Sequence, residues 1–392
     1  MERREALITG VVLLGLCLAV AGIFAYGRSD TSDLSLGNDV ADVSPLPDLS
    51  GEFDDFVDEA IDFVEATRGR SFLQDPMVIA LSEAQFVNRI RAEFAEDFDA
   101  APEDVEMYNA LYRSTALIGA DESIDEVYRQ FGEAGILGFY DPETDELVVR
   151  QRDELSLLTK STIVHELTHA FDDQHFDLDR PEYDDRADEV AWGFRAVAEG
   201  SASWVEAEWK ATLSSADQSG LLQEELSFGD PGIFDQFELS FLFLELSPYE
   251  YGEPFVAHLV DGGGTDALDE ALEDPPITSE QVIVPDRYDE QEGPIDLAPP
   301  PADGEIQFSG IGGQVLIDSM FQGNGVIRGF EWGGDQLVVW SAGGFSCLRW
   351  DIQSEDGNTE AVMDGFLSWS DRAGPANVFV LDERTVRVER CV

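Results

Sequence analysis

Residues 161–175 read STIVHELTHAFDDQH. Val164, Leu167 and Phe171 recur at helical spacing, which predicts an amphipathic helix over about 154–174. Residues four apart on a helix share a face. His165 and His169 can therefore each aim an imidazole nitrogen at one ion. Glu166, next to the first histidine, can reach a water on that ion. Two neutral nitrogen ligands with an adjacent carboxylate make a hydrolytic centre. Zn2+ suits it, because it polarises a carbonyl and lowers the pKa of a bound water towards ~7. The chain holds only 4 histidines, so the concentration of His165, His169 and His175 in this stretch is not what scatter would give.

A third ligand is needed, and two residues compete for it. His175 follows His169 at the spacing of the pattern HExxHxxGxxH, but Asp172 stands where that pattern has glycine. The glycine serves a sharp left-handed turn that aspartate adopts less readily. The pattern also expects a methionine turn downstream, for which Met320 and Met363 are badly placed. Glu199 is the favoured candidate. It sits mid-way along a second helix, predicted over about 187–213, inside Ala196-Val197-Ala198-Glu199-Gly200-Ser201-Ala202. A carboxylate among small residues does not suit a solvated face. Gly200 costs about 1 kcal/mol within a helix, and close approach to the histidine helix would give it a reason. Trp192, Trp204 and Trp209 on the same helix read as packing residues.

With HELTH and a downstream glutamate on a helix, the chain resembles the gluzincin branch of zinc metallopeptidases, of which thermolysin is the best-known member. The run Gly138-Phe139-Tyr140-Asp141-Pro142 through His175, then Ala198-Glu199-Gly200, further resembles a poorly characterised group of membrane-anchored proteins of this type. Pro276-Ile277-Thr278-Ser279-Glu280-Gln281 and Trp332-Gly333-Gly334-Asp335 fit the same group, so the likeness covers most of the chain after residue 51. The resemblance implies His165, His169 and Glu199 as zinc ligands, Glu166 as base and proton shuttle, and a peptide or protein as substrate. It also implies a strand edge that pairs with an extended peptide, supplied by Leu137–Tyr140 or Glu146–Arg150. Thermolysin-like enzymes carry an aspartate four residues after the glutamate ligand to orient a histidine. Ser203 stands there in this chain, which leaves Asp172 or Asp173 to substitute. A tyrosine or histidine from beyond the metal helices would stabilise the oxyanion; Tyr249, Tyr251 and His258 are the candidates, and Tyr251 is preferred.

The rest of the chain predicts a mixed α/β (α+β) fold. A helix is expected at 51–67, a short buried strand at 77–81, helices at 83–97 and 102–118, and a hairpin of 137–140 with 146–150 around Asp141-Pro142-Glu143-Thr144-Asp145. Further helices are expected near 234–246, 252–261 and 265–273, before a run of prolines from Pro275 to Pro301. The last ninety or so residues turn to glycine, β-branched and aromatic residues. That division predicts a zincin-like metallopeptidase domain over 51–300 and an α+β C-terminal subdomain, rich in strands, over 301–392. Cys347 and Cys391 lie in strand-like stretches and are expected to pair.

Net charge is −59, from 82 acidic and 23 basic residues. Such a surface repels phosphate backbones, which excludes nucleic acid as a partner. Residues 6–26 are uncharged and apolar over a bilayer's thickness, with Arg3 and Arg4 before them. They predict a single-pass N-terminal anchor in the cell membrane, with a signal peptide cleaved after Ala19-Val20-Ala21 as the competing reading, a flexible linker over 27–50, and a catalytic domain outside the cytoplasm. The expectation is thus a membrane-anchored zinc metallopeptidase. A zinc-binding cell-surface module without hydrolysis is the rival reading, and a metal-free adhesion ectodomain is the third.

Overall fold

A computed structural model describes residues 50–151, 155–183, 188–228 and 234–392. The fold is mixed α/β of the α+β kind, as expected. Helix α1 (Ser50–Arg68) leads to strand β1 (Met77–Ser82), then helices α2 (Glu83–Ala100), α3 (Pro102–Thr115) and α4 (Ile124–Gly135). The hairpin β2 (Gly138–Asp141) and β3 (Glu146–Gln151) follows. Asp145 takes a left-handed φ of 57° in its turn. Three helices then build the centre of the molecule: α5 (Leu157–Phe176), α6 (Glu189–Thr212) and, after α7 (Ser215–Ser227), the long α8 (Leu239–Gly263). Short helices α9 (Thr265–Glu273), α10 (Ser279–Ile283) and α11 (Asp286–Asp289) lead into β4 (Glu305–Gly310), α12 (Gly313–Gly323), β5 (Trp332–Ala342), β6 (Phe345–Ser354), α13 (Thr359–Ala373), β7 (Asn377–Val380) and β8 (Thr385–Cys391).

The first sheet runs β1-β3-β2, with β1 parallel and β2 antiparallel to β3. β1 and β2 are therefore the edges and β3 the centre, so of the two candidate strands β2 is the one at an edge. Phe53, Phe56, Ala60 and Val64 of α1 and Val164, Leu167 and Phe171 of α5 pack with Leu147 and Val149 of β3. The second sheet is antiparallel, in the order β4-β5-β6-β8-β7. Cys347 faces Cys391 in the β6–β8 register, and the two form the expected disulfide. One apolar core runs from Phe86 to Val388 and joins α6, α8 and α12 to this sheet.

Several expectations are corrected. No helix among the described residues is long and apolar enough to cross a membrane, so the transmembrane anchor, and the localisation that rested on it, are not supported. Residues 6–26 and 27–50, on which the anchor and linker were placed, lie outside the described residues except for Ser50. The two helices expected at 234–246 and 252–261 are one, α8, with Pro248 and Pro254 inside it. Proline lacks the N–H that would bond four residues back. For Pro248 that acceptor is the Leu244 carbonyl, and the Ser247 hydroxyl donates to it instead, at 2.6 Å. Helices α4, α7, α12 and α13 lie in stretches for which no element was expected.

A buried cation ties the front of the fold to its centre. Arg68, the last residue of α1, pairs with Asp172 of α5, donates to Ser201 Oγ of α6 at 2.9 Å and to Asp269 Oδ1 of α9 at 2.8 Å. Its guanidinium lies 5.0 Å from the Phe171 ring centre. Asp172 is thus a structural partner, and α5 runs past it to Phe176 without the turn that HExxHxxGxxH requires.

Candidate metal centre

Helix α5 starts at Ser156, whose hydroxyl accepts the Thr159 N–H at 3.2 Å. The cap anchors the first turn of α5, and the four-residue spacing sets His165 and His169 on one face. Helix α6 starts at Asp188, which accepts the Val190 N–H at 2.7 Å, and carries Glu199 to the same point. His165 Nε2 and His169 Nε2 lie 3.2 Å apart. Glu199 Oε2 lies 3.3 Å from the first and 3.2 Å from the second. The three form a near-equilateral triangle of donor atoms, and all three residues are buried to within 1%. Lone pairs turned on one another away from water are costly unless a proton or a metal cation sits among them. The trio could hold a metal ion.

The electrostatics agree with that fit. Burial favours a neutral Glu199, but His169 and His165 hold its carboxyl down to about 2. Burial also opposes charge on His165, yet Glu199, Glu206 and Glu166 outweigh it and raise the imidazole to about 10. A divalent cation supplies that positive charge with both rings neutral.

Glu166 stands beside the triangle. Burial raises its carboxyl to about 7, against the pull of His165 and His169. Neither of its oxygens has a well-formed hydrogen bond among the described residues, although the Tyr140 main-chain N–H lies close enough to favour its charge. That N–H is free to point there because the Arg150 main-chain N–H donates to the Leu137 carbonyl at 2.9 Å. In the alternating antiparallel ladder this turns the N–H of Tyr140 away from β3, on the outer edge of β2. The edge strand therefore borders Glu166.

A further carboxylate supports the first histidine. Glu206, two turns beyond Glu199 on α6, places Oε2 3.4 Å from His165 Nδ1. A proton on Nδ1 facing Glu206 leaves Nε2 as the ligand nitrogen. Glu206 also accepts from Ser161 Oγ at 2.5 Å and from Lys210 Nζ at 2.9 Å. Burial would raise Glu206, but Lys210 and His165 bring it down to about 2. Sequence reasoning missed Glu206, although its spacing of seven from Glu199 and its place four before Lys210, one of the chain's two lysines, were readable. Neither Asp172 nor Asp173 plays this part. Asp173 accepts from Tyr140 Oη at 2.7 Å and from Leu178 N–H at 2.8 Å.

Three candidates lie elsewhere. His175 Nε2 is 3.0 Å from the Ser71 carbonyl, and its ring packs on Phe171 at 4.5 Å, off the end of the ligand face. Tyr251, preferred for the oxyanion, instead has its hydroxyl 3.5 Å from Gln322 Nε2 of α12. One helical turn is 3.6 residues, so Tyr249 and Tyr251 point to opposite sides of α8. Tyr249 is the one at the site: its hydroxyl donates to Glu199 Oε1 at 2.9 Å. His258 pairs with Asp289 at 2.9 Å on the surface.

Gly200 has a different reason from the one expected. A Cβ there would lie 2.4 Å from the carbonyl carbon of Gly252, so the close approach is to α8 and not to the histidine helix. No family model, curated protein or solved structure matches this chain.

Proposed function

We propose that this protein is a zinc-dependent metallopeptidase of the gluzincin type, with His165, His169 and Glu199 as ligands and Glu166 as general base. The observation that carries this reading is the triangle of Nε2, Nε2 and Oε2 atoms with sides of 3.2–3.3 Å. Zinc binds such donors at about 2.0–2.1 Å, and the edge of a tetrahedron built on those bonds is about 3.3–3.4 Å. The donor set, two imidazoles and one carboxylate, is that of catalytic zinc with a position left for water.

When bound, zinc supplies a Lewis acid that polarises the scissile carbonyl and makes water more acidic. Glu166 takes the proton of the attacking water and returns it to the leaving amine. Its carboxylate, fully buried beside the ligand triangle, is placed for both steps. Glu206 orients His165, and Lys210 keeps Glu206 ionised. The outer edge of β2, beside Glu166, is the place for an extended peptide to add as a strand.

The test is cleavage of a mixed peptide library by the full chain, with zinc content measured alongside. Cleavage by the wild type, and none by a Glu166→Gln variant that keeps one zinc, is the expected result. Full activity in Glu166→Gln, or undiminished zinc in Glu199→Ala, would sink the assignment.

A further inference from the structure

The two oxygens of Glu199 are not equivalent. Oε2 faces both histidine nitrogens, at 3.3 and 3.2 Å. Oε1 is turned away from them and accepts the Tyr249 hydroxyl at 2.9 Å. We propose that Tyr249 is a positioning residue that holds Glu199 to ligation through a single oxygen. The inference rests on the metal-centre reading above and adds a residue to it.

The consequence is a matter of counting. A carboxylate that binds through both oxygens fills two positions around a small ion. With one oxygen committed to a hydroxyl, two imidazoles and one carboxylate oxygen fill three positions and leave the fourth for water. Tyr249 therefore acts through Glu199 to keep the reactive position open.

The packing makes the hydroxyl a fixed partner. Tyr249 lies three residues before Gly252 on α8. A Cβ on Gly252 would fall 2.2 Å from the Ala196 carbonyl and 3.0 Å from the Gly200 Cα and N. Backbone is thus laid on backbone at the residue next to Glu199, and α8 has no room to shift along α6. The Tyr249 ring lies 6.1 Å from the His165 ring at an interplanar angle of 26°, so one side chain touches two of the three proposed ligands. Tyr249 is only half-buried, yet its hydroxyl reaches a carboxylate that is 1% exposed.

The experiment compares wild type with Tyr249→Phe in the full chain, which removes the hydroxyl and keeps the ring. Cobalt(II) in place of zinc gives a readout independent of turnover, because four-coordinate cobalt absorbs visible light more strongly than five-coordinate cobalt. The expected result is a weaker visible band per bound cobalt and a fall of about tenfold or more in zinc affinity, the usual effect of losing a partner behind a ligand. A wild type whose cobalt band and zinc affinity both survive Tyr249→Phe unchanged overturns the inference alone. A wild type that binds neither ion overturns it together with the reading beneath it.

Discussion

Gly200 and Gly252 meet face to face where α6 crosses α8, and the crossing is so close that neither position has space for a methyl group. Glu199 precedes Gly200, so the contact sets the height of the proposed ligand. Gly200→Ala gains about 1 kcal/mol of helix propensity. The added methyl meets the Gly252 backbone at 2.4 Å, and backbone cannot rotate away as a side chain can. Overpacking of this kind costs roughly 1–3 kcal/mol, so the net change should run from near zero to a loss of about 2 kcal/mol. Chemical denaturation would measure it, and metal affinity should fall with it. A stabilised variant would mean that the helices part freely at this point.

The carboxylate behind His165 offers a second test. Glu206→Ala removes the acceptor for Nδ1 and the partner of Ser161 and Lys210. Losses of this type lower metal affinity by about 10–100-fold. Competition with a chelator would report the change, and Glu208→Ala, on the same helix but outside the site, gives the baseline. Equal affinities in the two variants would remove Glu206 from the centre.

Arg68 is placed to be far more damaging than its distance from the ligands suggests. Its side chain and that of Asp172 are both 0% exposed. Arg68→Ala leaves Asp172 buried without its cation and Asp269 with only the Arg70 pair. Breaking a buried pair from one side costs about 3–5 kcal/mol. Replacing both members, Arg68→Met with Asp172→Leu, should recover much of that loss, because no charge is then stranded. Unfolding curves of the three proteins would show whether it does.

These residues also show what the sequence could and could not reveal. Two histidines and a glutamate on one helix face follow from periodicity, and so do the limits of α1, α5 and α6. Glu199 was legible because a carboxylate among Ala196, Ala198, Gly200 and Ala202 has no local reason to be there. The role of Asp172 was not legible, since its partner lies 104 residues away. Tyr249 and Tyr251 could not be told apart while two prolines hid the single helix that carries both. Ser247, which fills the gap left by Pro248, is a side-chain remedy that propensity does not anticipate. Helix α4 was passed over although Ile124, Val127, Tyr128 and Phe131 have helical spacing and all are buried. Helices α12 and α13 were hidden by the strand-rich composition around them.

Glu189 supplies the pH dependence. It opens α6, on the same helix as Glu199, and accepts the Ser279 N–H at 2.7 Å and the Ser279 hydroxyl at 3.0 Å. Burial raises its carboxyl from the ordinary 4.5 to about 8; the Ser279 bonds oppose this, while Asp335 and Asp188 add to it. Asp335 is the carboxylate that faces it from β5, itself raised by burial and occupied by the N–H groups of Gly312 and Gly313 and by Trp332 and Trp350. The folded chain thus keeps a proton on Glu189 that the unfolded chain has released. Wherever the folded state binds more protons, stability falls as pH rises. The contribution of Glu189 is therefore complete below about 4.5 and is lost as pH climbs to about 8. Urea unfolding across that interval, for wild type and Glu189→Gln, isolates the effect from the other carboxylates. The difference between the two should drift against the wild type with rising pH, because glutamine stays neutral throughout. Parallel curves would show that Glu189 ionises in the folded protein as it does in water.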